Sequence, residues 1–310
     1  MIIPNLYAFY TGVILFAMGS RFFTPNSIAT LGKVYVDKQK LLNSALTWFI
    51  LDINYGAFIG GLVFSIVALK YGWEIGFLLG TISNALAFLF LRLAKYKNTI
   101  QLYDKPLNLT FTFTKILLVI LLSSLFWFIF SSTGSDTYLA FNELATLSKF
   151  DYGSDLYFHA TLSLFIPISL ILAFLWWKYA VHNSINLLIA FGIGAIGLSM
   201  LFILPEKLSP NHINNFVIYL ICFGLAEVIL GPVILTVIFK NTNPRYYASI
   251  IGVMLFVVSF AVVLSNKLVD EELNSLITFG CATFLMESAT VSLLIYFLIT
   301  RFKSKPIQTN

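Results

Sequence analysis

The sequence predicts an all-α polytopic membrane protein with about nine transmembrane helices of roughly 20 residues or more. Three observations lead there. Of the 310 residues, 59% are hydrophobic and 11% charged, and the mean hydropathy is +0.88, a balance outside the range of soluble globular chains. Apolar runs long enough to cross about 30 Å of hydrocarbon recur from end to end. The basic residues collect at alternate ends of those runs.

In order, the runs cover 6–31, 44–69, 74–96, 114–134, 157–177, 184–204, 213–238, 247–267 and 275–300. The first has no basic segment before it and no small-residue cleavage site after it, so it reads as a retained helix, not a secretory signal. It holds Arg21 and Pro25, and a proline inside a membrane helix is tolerated where neighbours absorb the lost hydrogen bond. The second holds Asp52 and Asn54; the third closes on Arg92 and Lys95. The fourth ends in Ser131, Ser132 and Thr133, and the fifth on Trp176 and Trp177, residues that suit a membrane interface or bundle packing. The seventh carries Glu227 near its middle, and the ninth carries Glu287. The connections 97–113 and 135–156 are the longest, and neither has room for a soluble domain. They contain turn formers and aromatics compatible with short interfacial helices.

With the amino terminus outside, one set of connections and adjoining span ends holds Lys33, Lys38, Lys40, Arg92, Lys95, Lys97, Lys105, Lys115, Lys178, Lys240, Arg245, Arg301, Lys303 and Lys305. The other side holds Lys70, Lys149, Lys207 and Lys267, together with Asp136, Glu143, Asp151, Asp155, Asp270, Glu271 and Glu272. The bias of Lys and Arg toward the cytoplasmic side therefore orients every span consistently, with the carboxyl terminus in the cytoplasm and the chain in the cell membrane. The net charge of +5 is thus a membrane-face signal and does not mark nucleic acid as a partner.

Enzyme signatures are missing. His159, His182 and His212 are isolated and lie at span ends, without metal-ligand spacing. No glycine loop suited to a phosphate appears, which argues against an ATPase subunit. Cys222 and Cys281 both fall inside spans, where a thiol acts as a small packing residue.

A charge near the bilayer centre costs on the order of 3 kcal/mol unless it is neutralised, paired or wetted, so Arg21, Asp52, Glu227 and Glu287 each require an explanation. Part of it comes from a resemblance. The stretches "MGSRFFTPNSIATLGKVY" (18–35), "DINYGAFIGG" (52–61) and "KYGWEIGF" (70–77) are similar to the fourth and fifth helices of the proton-dependent oligopeptide transporter family of the major facilitator superfamily. "FWFIFSSTGSDTYLAFNE" (126–143), "TLSLFIPISLILAFLWW" (161–177) and "GLAEVILGPVILTVIFK" (224–240) resemble its seventh, eighth and tenth helices, in the right order.

The resemblance implies a partial major facilitator fold. Family members have twelve helices, and this chain aligns from the fourth, so the first three helices and their Glu-rich, Arg-containing motif are expected to be absent. Residues 1–97 then form the second half of the amino-terminal bundle, 98–113 a cytoplasmic connection, and 114–310 a six-helix carboxyl-terminal bundle. The implied function is proton-coupled uptake of di- and tripeptides, with no cofactor other than the proton as coupling ion. Membrane lipid and small peptides are the implied partners, with a separately encoded amino-terminal fragment or a second copy filling the missing quarter. A different class stands beside it: a non-transporting membrane remnant or interaction subunit.

Individual residues carry over unevenly. Glu227 matches the tenth-helix glutamate that meets a peptide amino terminus or a fourth-helix lysine; ionised, a carboxylate only accepts hydrogen bonds, and protonated it carries the coupling proton. The lysine position is Thr24 here, and Arg21, one turn away, is the expected cationic partner of Glu227. Asn54 matches the fifth-helix asparagine, whose amide offers donors and an acceptor to a peptide bond of any sequence. Ser163 stands near the eighth-helix asparagine, which gives it a substrate-binding role. Ser131, Ser132 and Thr133 replace the seventh-helix carboxylates and glutamine, and Gly231 replaces a serine. Asp52 lies about 200° around the helix from Asn54, on another face, and reads as structural; Glu287 has no family counterpart.

Overall fold

The computed structural model describes residues 6–35, 38–93, 109–147, 167–179, 183–202, 213–270 and 275–303. Within them the chain is helical throughout: α1 (Leu6–Val34), α2 (Gln39–Tyr71), α3 (Trp73–Leu93), α4 (Leu109–Leu147), α5 (Pro167–Lys178), α6 (Asn183–Phe202), α7 (Ile213–Asn241), α8 (Tyr247–Asp270) and α9 (Ser275–Lys303). Six stretches among the described residues are long and apolar enough to cross a membrane, from Trp73–Phe90 at a mean hydropathy of 1.4 to Pro244–Leu268 at 2.5. Each expected span coincides with a helix, although the first half of the fifth, 157–166, lies outside the described residues.

α4 departs most from its expected bounds. It runs 39 residues, about 58 Å at 1.5 Å per residue, and takes in parts of both long connections. The apolar run measures the membrane, whereas the helix stops only where its sequence stops favouring one; Leu139, Ala140, Glu143, Leu144 and Ala145 favour it still.

Two joints are tight. α2 and α3 meet at Gly72, whose φ of 94° and ψ of 155° lie where a side chain is strained; its N–H donates to the Ala68 carbonyl at 2.9 Å. Between α7 and α8, the Asn243 side chain accepts from the Arg245 N–H at 3.0 Å and caps a single 3-10 turn, Pro244–Tyr246, which carries proline at its first position.

The core lies among α4, α6, α7 and α9. α7 is central, with two-thirds (67%) of its apolar stretch buried, against 0% for α3. Phe126 of α4 stacks on Phe223 of α7 at 5.1 Å and meets Phe191 of α6 edge-on at 6.2 Å, so one aromatic cluster joins three helices.

α1 and α2 join this body along one seam. α1 packs on α8 and the 3-10 turn, α2 on α7, while α3 packs chiefly on α2. Gly32 of α1 lies against Phe239 of α7 so closely that a Cβ there would sit 2.4 Å from the ring. The Phe239 and Tyr247 rings are 4.5 Å apart, and the Tyr247 hydroxyl donates to the Phe239 carbonyl at 3.0 Å. Thr236 of α7 donates a hydrogen bond to the side-chain carbonyl of Asn43 of α2, and Ser44 donates to the Ala173 carbonyl of α5 at 2.8 Å. Lys33, Lys38, Lys240 and Arg245 surround this end, which is therefore the basic end of the molecule.

Candidate functional site

Burial falls away from the seam. On α1, Ile28, Ala29 and Gly32 are buried while residues 7–23 are exposed; on α2, burial covers most of 42–51 and little of 52–59. α1 and α2 are thus held at the basic end and freer beyond it.

Counting along each helix places the polar groups. Arg21 is eleven residues from Gly32 and Asn54 eleven from Asn43, about 16 Å; Glu227 is twelve from Phe239 and Ser259 twelve from Tyr247, about 18 Å. Four polar side chains on four helices therefore stand at one height above the seam. That height is mid-membrane, since Glu227 sits at the centre of the apolar stretch Asn214–Asn241.

The faces agree as well. Eleven residues is three turns plus about 20°, so Arg21 shares the buried face of Pro25, Ile28 and Gly32, and Asn54 shares that of Asn43. Gly231 faces Ile50, where a Cβ would lie 2.8 Å from Ile50 Cδ1. Glu227 and Asn54 each stand one turn beyond that contact, on the sides that α7 and α2 turn toward each other.

Hydrogen bonding divides these groups. Arg21 Nη1 donates to Ser259 Oγ at 3.0 Å. Among the described residues neither Glu227 nor Asn54 makes a side-chain hydrogen bond, and no ion pair joins Arg21 to Glu227. Glu227, Asn54 and Ser259 are half-buried, and Arg21 is exposed. Pro25 removes the N–H that would bond the Arg21 carbonyl, and Pro232 does the same to Val228, next to Glu227. Two main-chain acceptors are thereby released from helical bonding at the height of the site.

The remaining candidates lie elsewhere. Ser163 falls outside the described residues. Ser131 donates to Asn266 of α8 at 2.5 Å, while Ser132 and Thr133 donate to the Ile129 carbonyl at 2.9 and 3.0 Å. These hydroxyls tie α4 to α8 and to its own backbone. Asp52 and Glu287 are exposed, Asp52 on the side of α2 away from α7. Cys222 is half-buried and Cys281 exposed.

Sequence reasoning passed over Ser259, Asn43 and Thr236. A serine or threonine in an apolar run is common packing material in membrane helices. Only tertiary contact singles out Ser259, by placing it opposite Arg21.

Comparisons with known proteins fit this architecture. The model of the Major Facilitator Superfamily matches residues 1–266. The chain is similar to a dipeptide and tripeptide permease A of Pectobacterium carotovorum subsp. carotovorum (strain PC1), 30% identical over 103 residues, which is 32% of this chain and 20% of the relative. It is also similar to proteins of the same description from Serratia proteamaculans (strain 568), 30% over 78 residues (25% of this chain, 15% of the relative), and Citrobacter koseri, 31% over 86 residues (27% and 17%). The aligned stretches thus cover a fifth or less of each relative's length.

Proposed function

The chain belongs to the Major Facilitator Superfamily, and on that premise we propose that it is a secondary carrier for di- and tripeptides driven by protons. It is a multi-pass membrane protein, and its proposed place is the cell membrane, amino terminus outside and basic end in the cytoplasm. The observation that carries the proposal is the shared mid-membrane height of Arg21, Asn54, Glu227 and Ser259 on four different helices. Secondary carriers bind near the midplane between two bundles and alternate by rocking one against the other.

In this reading Asn54 offers its amide to the peptide backbone. Glu227, ionised, accepts from the peptide ammonium or from Arg21; protonated, it loses that hold and carries the coupling proton across. Arg21 stays charged throughout, so the switch titrates at the glutamate. Similarity to dipeptide and tripeptide permeases supports the substrate class.

A second reading follows from the exposed surfaces. α1 from 7 to 23 and most of α3 are exposed on all sides, and Asp52 places a carboxylate on the uncovered side of α2 at nearly the depth of the site. A separate helical fragment or another copy covering that surface would complete the carrier; a chain serving only to bind such a partner would move no peptide.

Dipeptide uptake into proteoliposomes separates the two. The carrier reading predicts accumulation with an inward proton gradient, none with the reversed gradient, and loss of gradient dependence in Glu227→Gln. Uptake indifferent to the gradient contradicts it.

A further inference from the structure

Arg21 is held by a neutral acceptor although an acidic one stands at the same height. Ser259 Oγ accepts from Arg21 Nη1 at 3.0 Å and donates to the Leu255 carbonyl at 2.7 Å. The second bond commits the hydroxyl hydrogen, so the serine presents a lone pair to α1. That matches a guanidinium, which has five donors and no acceptor. Ser259 and Glu227 lie equally far from the Phe239 and Tyr247 rings, which are 4.5 Å apart, so both acceptors stand level on helices joined by a short turn.

We infer that Ser259 is a positioning residue for Arg21, holding it on the α8 side and leaving the Glu227 carboxyl free to engage substrate and proton. The inference rests on reading Arg21 and Glu227 as parts of one transport site. A guanidinium bonds a neutral hydroxyl less strongly than it bonds a carboxylate, so the arginine is kept in an exchangeable bond. The bond also ties α1 to α8 beyond the seam, where burial no longer holds them together. Separation of α1 from α8 then requires Arg21 to leave Ser259, and the serine sets how readily that happens.

The test uses the full chain in nanodiscs with Cys222→Ala and Cys281→Ser, and spin labels on cysteines replacing Thr11 of α1 and Leu268 of α8, both exposed and at similar heights. Ser259→Ala is expected to move part of the distance distribution to longer separations, Ser259→Thr to restore the original distribution, and Ser259→Asp, which converts the bond to an ion pair, to sharpen the short population. Dipeptide uptake by Ser259→Asp is expected to lose maximal rate with KM little changed, because a tether acts on turnover more than on binding. An unchanged distribution in Ser259→Ala, or failure of Ser259→Thr to restore it, overturns the inference. Distances that respond as stated while no variant takes up peptide uphold the role of Ser259 and count against the transport reading alone.

Discussion

Thr236 of α7 and Asn43 of α2 share a hydrogen bond inside the seam, with exposures of 0% and 2%. Water does not reach either side chain, so each depends on the other. Buried polar groups left alone cost about 1–3 kcal/mol, although hydrogen bonds between membrane helices return only about 0.6 kcal/mol on average. The pair thus contributes more by being costly to split than by the strength of its bond.

Thr236→Val, which keeps the shape and removes the hydroxyl, should therefore destabilise the protein by about 1–2 kcal/mol. Replacing both partners, Asn43→Leu with Thr236→Val, should cost less than the two single changes summed. A double-mutant cycle on thermal unfolding in detergent reads this; strictly additive losses would mean the two side chains are not coupled.

Gly32→Ala should open the seam. Its Cβ would sit 2.4 Å from the Phe239 ring, and that ring is 3% exposed and packed 4.5 Å from Tyr247, so it has little room to yield. Overpacking of this kind costs about 1–3 kcal/mol. Phe239→Leu in the same chain should recover part of the loss. If Gly32→Ala unfolds at the original temperature, α1 does not pack as described.

Gly72→Ala tests the α2–α3 joint. With φ at 94° and open space around the position, the penalty comes from backbone strain and not from a clash, and amounts to about 1–3 kcal/mol. Thermal unfolding should fall accordingly, and Gly72→Asn should give no relief, because asparagine tolerates positive φ at ψ of about 30–60° and not at the 155° found here.

Much of this was legible in the sequence. The spans 44–69 and 213–238 became α2 (Gln39–Tyr71) and α7 (Ile213–Asn241) because apolar length reports membrane thickness directly. Helix ends were less legible, since α4 continues to Leu147 on residues that favour helix without being apolar. Arg21 and Glu227 stand out because charged groups are costly in lipid, and Asn54 because it matches the fifth-helix asparagine of the resembled family. The partner of Arg21 does not stand out, because a serine carries no such cost and its position opposite α1 is set by the Gly32–Phe239 and Phe239–Tyr247 contacts, which lie at least twelve residues from it in sequence.

The central claim is that Asn54 and Glu227 face one water-accessible site beyond the seam at the basic end. Cysteines replacing each in turn, in the chain carrying Cys222→Ala and Cys281→Ser, can be labelled with a membrane-impermeant maleimide from the side opposite the basic end. Both positions should label. Labelling of Glu227→Cys only by a lipid-soluble reagent would place that side chain in lipid and contradict the account.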